Sequence, residues 1–193
     1  MNIKTLIGIG VVVLLGIWGV SSYNGLVQQE ETVKQAWAQV ENQYQRRADL
    51  IPNLVNTVKG AANFEKETLT QVIDARSKAT SIQLSADELT PENLQRFQQA
   101  QQQLSGALSR LMMTVERYPK LQANQNFLSL QDQLEGTANR ITTERMRFNQ
   151  TVQTYNTNIK TFPTNIFAGL FGFGDKAYFE AEEGAQEAPE VQF

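Results

Sequence analysis

The sequence contains no cysteine and no histidine. Without them the chain has no disulfide, no thiolate nucleophile, no imidazole base and no zinc site of the usual ligand types. Carboxylates, hydroxyls, lysines and arginines are what remains for chemistry. Proline is scarce, with five in 193 residues, and few stretches alternate β-branched with polar residues as a half-buried strand would. Charge of either sign is balanced to a net −3, so nothing favours a nucleic-acid partner. These absences favour an all-helical protein.

What is present begins with a long apolar run, "MNIKTLIGIGVVVLLGIWGVSSYNGL". Leu6 to Val20 carries no charge, and with its flanks it reaches the roughly 20 residues that a bilayer-spanning helix needs. Trp18 and Tyr23 stand where an interfacial aromatic belt would lie. Residues 1–23 read as an uncleaved signal anchor. The competing reading is a cleavable signal peptide with Ser22 at −1 and Val20 at −3. Lys4 precedes the run, and the next basic residue is Lys34, behind Glu30 and Glu31. The positive-inside rule then keeps the N-terminus in the cytoplasm and makes the remainder extracytoplasmic, periplasmic in a two-membrane cell. The run has neither an ionisable residue nor a GxxxG pair, so it signals neither an ion pathway nor a dimerising helix.

Four helices follow from apolar spacing. In the first, about residues 24–62, Val33, Trp37, Val40, Tyr44, Arg47, Ile51, Leu54, Val58 and Ala61 recur in alternating steps of four and three. The second, about 63–82, turns Leu69, Val72, Ile73, Ala75 and Ala79 inward. Thr90-Pro91-Glu92 starts the third, with a capping hydroxyl, a proline in the first turn and an acid beside it. Its seam is Leu94, Phe97, Gln101, Leu104, Leu108, Leu111, Val115 and Tyr118. "YPKLQAN" turns the chain into the fourth, whose seam runs from Phe127 through Leu134, Ile141, Glu144, Phe148, Val152 and Tyr155 to Phe162. Short connections make this an antiparallel four-helix bundle over residues 24–163, in continuity with one N-terminal transmembrane helix. At 1.5 Å per residue the first and fourth helices are roughly 55–60 Å long, the second about 30 Å and the third about 40 Å. The membrane-proximal part of the long pair is therefore a thinly covered stalk, exposing apolar residues unless another surface hides them.

Two polar residues intrude on the seams. If the turn near Asn124 packs beside Glu65–Glu67, antiparallel pairing sets Arg47 opposite Glu144. A buried Arg–Glu pair there would act as a register key, because slippage strands both charges at roughly 3–5 kcal/mol. The alternative is that Arg47 snorkels to water along its alkyl stem. Pro52 removes one backbone hydrogen bond. It either bends the first helix around its shorter neighbours or breaks it at a short unwound turn.

After Pro163, "FPTNIFAGLFGFGDKAYFE" is rich in aromatics and glycine. Residues 164–179 have three possible roles: lying in the lipid interface, packing on a neighbouring copy's stalk, or packing back on their own bundle. Ile166, Phe167, Leu170, Phe171 and Phe173 are the contact residues in the first two. Residues 180–193 are acidic and poor in core formers, which reads as a disordered tail.

No GxSxG, P-loop, HExxH or glycine-rich dinucleotide turn is present. A carboxylate-bridged metal pair in a bundle wants Glu-x-x-His motifs, which a chain without histidine lacks. No catalytic, cofactor or metal site is therefore expected. The residues do carry a family resemblance. "YNGLV" after the apolar run, "AWAQVENQYQRRADLIPNLVNTVKG", "FEKETLTQVIDAR", "ERYPKLQANQNFLSLQDQLEGTANRI", "FNQTVQTYNTNIKTFPTNIFAGLFGF" and "YFE" together resemble the LemA family, from the apolar run to about Glu180. The resemblance implies a helical bundle with one N-terminal span and no agreed biochemical activity. The expected function is a non-enzymatic, membrane-anchored scaffold of the bacterial envelope. Its expected partners are membrane lipid and further copies of itself in a homo-oligomer. The alternative is an adaptor that presents a bundle surface, with "YPKLQAN" as its contact, to another membrane or envelope protein.

Overall fold

The computed structural model describes residues 2–60 and 64–180. It contains six α-helices: α1 (Ile3–Lys59), α2 (Lys66–Ser81), α3 (Pro91–Val115), α4 (Pro119–Gln122), α5 (Gln125–Lys160) and α6 (Thr164–Phe171), with a 3₁₀ turn at Ala86–Glu88. There is no strand among the described residues. The all-helical expectation holds, while α4 and α6 are helices that the apolar spacing did not reveal. The acidic stretch 181–193 lies outside the described residues, as do residues 61–63, where the first helix was expected to end and the second to begin.

Helix α1 is one unbroken element from the apolar run to the far end of the molecule. Its seam is buried along its whole length, from Leu26 and Val33 through Trp37, Val40, Tyr44 and Arg47 to Ile51, Leu54 and Val58. Pro52 lies inside it without breaking it. A proline has no N–H to give the carbonyl four residues back, which here is that of Ala48. The Nε of Arg76 on α2 supplies the missing donor, at 2.8 Å from that oxygen. The residue that weakens α1 thus creates the acceptor on which α2 docks.

Helix α5 lies antiparallel along α1: the Trp37 ring meets Phe148, and Asn158 donates to Gln29. Its start is set by Asn124, whose side-chain oxygen accepts from the N–H groups of Asn126 and Phe127, a standard N-cap. Thr90 caps α3 as its sequence predicts, accepting from Asn93 with Pro91 in the first turn. Two core clusters result. The distal one is almost wholly aliphatic, with Ile51, Leu54, Val58, Val72, Leu104 and Leu111 at its centre, and α2 and α3 close over it. The proximal one is built on Trp37, Phe97, Phe148, Tyr155 and Phe179, with Leu26, Val33 and Val152 beneath. Two expected seam residues lie outside the core: Ile73 is exposed and so is Phe162. Phe162 has left the seam because α5 ends at Lys160.

Candidate membrane-interface site

The expected Arg47–Glu144 ion pair does not form. Arg47 is buried, but its guanidinium turns to α3, donating to the Gln101 side-chain oxygen at 2.6 Å and to the Ser105 hydroxyl at 3.0 Å. It also stands over the Tyr44 ring. Glu144 pairs instead with Arg147, one turn along its own helix, at 2.8 Å. The cause is the register. The Trp37–Phe148 and Gln29–Asn158 contacts set α5 one turn or more away from the expected register. Arg47 consequently shares a cleft with Ala138 and Ile141 of α5, about one turn short of Glu144. Burial holds the Arg47 guanidinium below its ordinary pKa, with the neighbouring Tyr44 acting weakly in the other direction.

The apolar run of α1 is exposed along its length, with Ile7, Leu14 and Ile17 each more than half accessible. Among the described residues, α1 is the helix long and apolar enough to cross a membrane. Where this run gives way to polar sequence, α6 packs beside it. Gly19 makes the approach possible: a Cβ there would stand 3.0 Å from the Phe167 ring. Trp18 meets Phe167 edge-on at 4.9 Å, and Tyr23 meets both Phe171 and Phe173. Ala168 is the buried residue of α6. Ile166 and Leu170, one turn apart, point outward together with the preceding Phe162. The five predicted contact residues therefore divide. Phe167, Phe171 and Phe173 line the inner side against α1, whereas Ile166 and Leu170 form an apolar outer face that runs into the exposed run of α1.

Gly172 ends α6 in the left-handed region (φ 79°), and the Phe173 N–H returns to the Ala168 carbonyl. This Schellman-type cap reverses the chain. Residues 173–180 then run as an extended strap back along the molecule, so this part of the segment packs on its own bundle. Asn156 grips the strap at Lys176, accepting its N–H at 2.9 Å and donating to its carbonyl at 2.8 Å. Asn149 grips Phe179 the same way, both at 2.9 Å. The two asparagines are two helical turns apart, about 10.5 Å, which matches three residues of extended chain. Ala177 and Phe179 face inward, with Phe179 stacked on Trp37 and edge-on to Phe148. The Lys176–Glu30 and Lys160–Asp175 ion pairs, each 2.8 Å, hold the end of the strap nearest α6. Beneath it Tyr155 is fully buried, and its hydroxyl has no hydrogen-bond partner. Burial first, then the negative charges of Glu30 and Asp175, push its pKa up to about 12.

The stalk expected to be bare is thus covered by the chain's own C-terminal segment. Neither asparagine was singled out from the sequence, although a signal is there. Phe148-Asn149 and Tyr155-Asn156 repeat an aromatic–asparagine pair at a spacing of seven. The expected adaptor contact, "YPKLQAN", turns Leu121 into the core and packs Tyr118 on Phe64.

The sequence pattern of the LemA family matches residues 36–193. Similar proteins include Protein LemA of Metamycoplasma hominis, 25% identical over 160 residues that cover 83% of this chain and 69% of that protein. Magnetosome protein MamQ 2 of Paramagnetospirillum magneticum is 27% identical over 184 residues, covering 86% of this chain and 67% of that protein. Magnetosome protein MamQ of Magnetospirillum gryphiswaldense is 28% identical with the same coverage.

Proposed function

The chain belongs to the LemA family, and from that premise we propose that it is a non-enzymatic, membrane-anchored scaffold of the bacterial envelope. In this reading the apolar run of α1 spans the cell membrane. The helical head stands on the outer, periplasmic side, and copies associate side by side through α6. The observation that supports it most is the outward face of Phe162, Ile166 and Leu170, the last of them 73% exposed, beside Trp18 and Tyr23 at the end of the apolar run. An apolar face at that height belongs in the lipid interface or against another copy. The pairing of one basic residue, Lys4, with the acids Glu30 and Glu31 across the run supports the orientation.

Leu170→Cys in native membranes tests the assembly, because the chain has no other cysteine. Oxidation is expected to give dimers, and monomer alone overturns the self-association. Gln39→Cys tests the orientation. A membrane-impermeant thiol reagent is expected to label it from outside the membrane, and labelling only after permeabilisation overturns the outward topology.

A further inference from the structure

The strap is held mainly by its backbone. Asn156 clasps the N–H and carbonyl of Lys176, and Asn149 those of Phe179. Gln98 and Arg145 add a third rung at the Glu180 carbonyl, at 2.8 and 3.1 Å. Such bonds read main chain and are indifferent to which copy the main chain belongs to. Side chains enter at alternate positions: Ala177 is buried, and Phe179 lies between Trp37 and Phe148. Main-chain bonds with pockets for alternate side chains are a recurring way of binding an extended peptide. The face of α1, α3 and α5 beneath the strap is therefore built as a peptide groove, and its occupant in this structure is tethered through α6.

We propose that copies exchange this strap, so that residues 173–180 of one chain fill the groove of a second copy. The proposal rests on the side-by-side association through α6 inferred above. Three observations support a second copy as the occupant. The first is complementarity: every copy carries the segment that the groove fits, so exchange keeps each rung and the aromatic plug. The second is the joint. Gly172 makes the reversal in the left-handed region (φ 79°), which glycine enters and leaves without strain, and Gly174 adds freedom two residues on. With that reversal opened, the four residues after Phe171 reach roughly 13 Å, more than the about 8–10 Å between the axes of packed helices. The third is continuity. The exposed face of Ile166 and Leu170 lies on α6 itself, so a copy seated there stands beside the joint. Copies in contact offer their straps at an effective concentration on the order of millimolar, comparable to that of the tethered one.

The test uses the full chain in membranes, where no native cysteine interferes. Tyr178 lies between the asparagine rungs on the strap and Gln153 between them on α5, and both are exposed. Tyr178→Cys and Gln153→Cys in one chain are expected to be linked by a short bis-maleimide, and no linkage overturns the groove. Placed on separate co-expressed copies, one carrying a mass tag, they are expected to give a mixed dimer. Linkage within the chain without the mixed dimer overturns the exchange. Asn149→Ala with Asn156→Ala on the Gln153→Cys copy is expected to lower the mixed dimer at least several-fold. An unchanged yield marks mere collision and overturns recognition by the groove. If that copy does not fold, Gly172→Ala on the Tyr178→Cys copy decides. It strains the closed reversal and is expected to raise the mixed dimer several-fold, and no rise overturns the exchange. Leu170→Cys separates this result from the reading it rests on. Dimers through Leu170→Cys without the mixed dimer overturn the exchange alone, and the mixed dimer without them overturns the α6 contact alone.

Discussion

The two ends of the α1–α5 pair solve one problem in different ways. At the distal end the apolar seams are covered by α2 and α3, and the core is interlocked aliphatic side chains. At the proximal end only the start of α3 and the segment before it reach over the seams, through Leu84, Leu89, Leu94 and Phe97. A strap of eight residues does the same work with one aromatic plug and a ladder of amide bonds. A helix satisfies its own backbone, so α2 and α3 need only present an apolar stripe. An extended strap has unpaired N–H and C=O groups, which cost free energy if buried without partners. The proximal end must therefore carry side chains that bond backbone: Asn149 and Asn156 along the strap, and Gln98 and Arg145 at the Glu180 carbonyl.

The largest expected effect comes from removing the plug. Phe179→Ala should destabilise the full chain by about 3–5 kcal/mol. Hydrogen exchange should then rise in residues 26–40 and 148–159 well before residues 51–58 and 104–111. A uniform rise would mean that the two ends open as a single unit, and the contrast between them would be lost. Next in size is Asn156→Ala, which strands the Lys176 N–H and carbonyl. It should cost about 1–3 kcal/mol in denaturant unfolding, with faster exchange at the strap and none at α2.

The matching change at the distal end is Arg76→Met, which leaves the Ala48 carbonyl without a donor and should cost about 1–2 kcal/mol. Adding Pro52→Ala restores a backbone N–H within reach of that oxygen and should recover most of the loss. Two additive losses would show that the Arg76 bond does not answer the proline. The smallest effect is on pH dependence. Because burial raises the Tyr155 pKa to about 12 from about 10 in an unfolded chain, the native state favours the protonated phenol. Its contribution to stability is complete below about pH 10 and is lost as the pH rises toward 12. The urea midpoint should therefore fall more between pH 9 and 11 in the native sequence than in Tyr155→Phe.

Much of this was legible in the sequence because local rules suffice for it. The four-three spacing from Val33 to Val58 predicts the buried face of α1, and Thr90-Pro91 marks the start of α3. The partner of Arg47 was not legible. It depends on the register of α1 against α5, which long-range contacts such as Trp37–Phe148 and Gln29–Asn158 set. The strap was not legible either. Ala177 and Phe179 show no helical period, and their strap is held by asparagines 20 residues before Lys176 and 30 before Phe179. The role of Arg76 needed the same long-range information, since nothing in "VIDAR" announces that a carbonyl on another helix lacks its donor.

The continuity of α1 has a mechanical consequence. On the proposed membrane-anchored reading, no joint separates the part that would sit among lipid tails from the part that carries the head, so the helix would act as a lever with its fulcrum at the bilayer surface. About 40 residues, near 60 Å, extend beyond the aromatic belt. A tilt of about 10° in the membrane, well within what bilayer thickness imposes on spanning helices, carries the far tip roughly 10 Å sideways. On that reading bilayer thickness would be transmitted to the position of the head, and the strap and α6, clamped to the same rod, would travel with it.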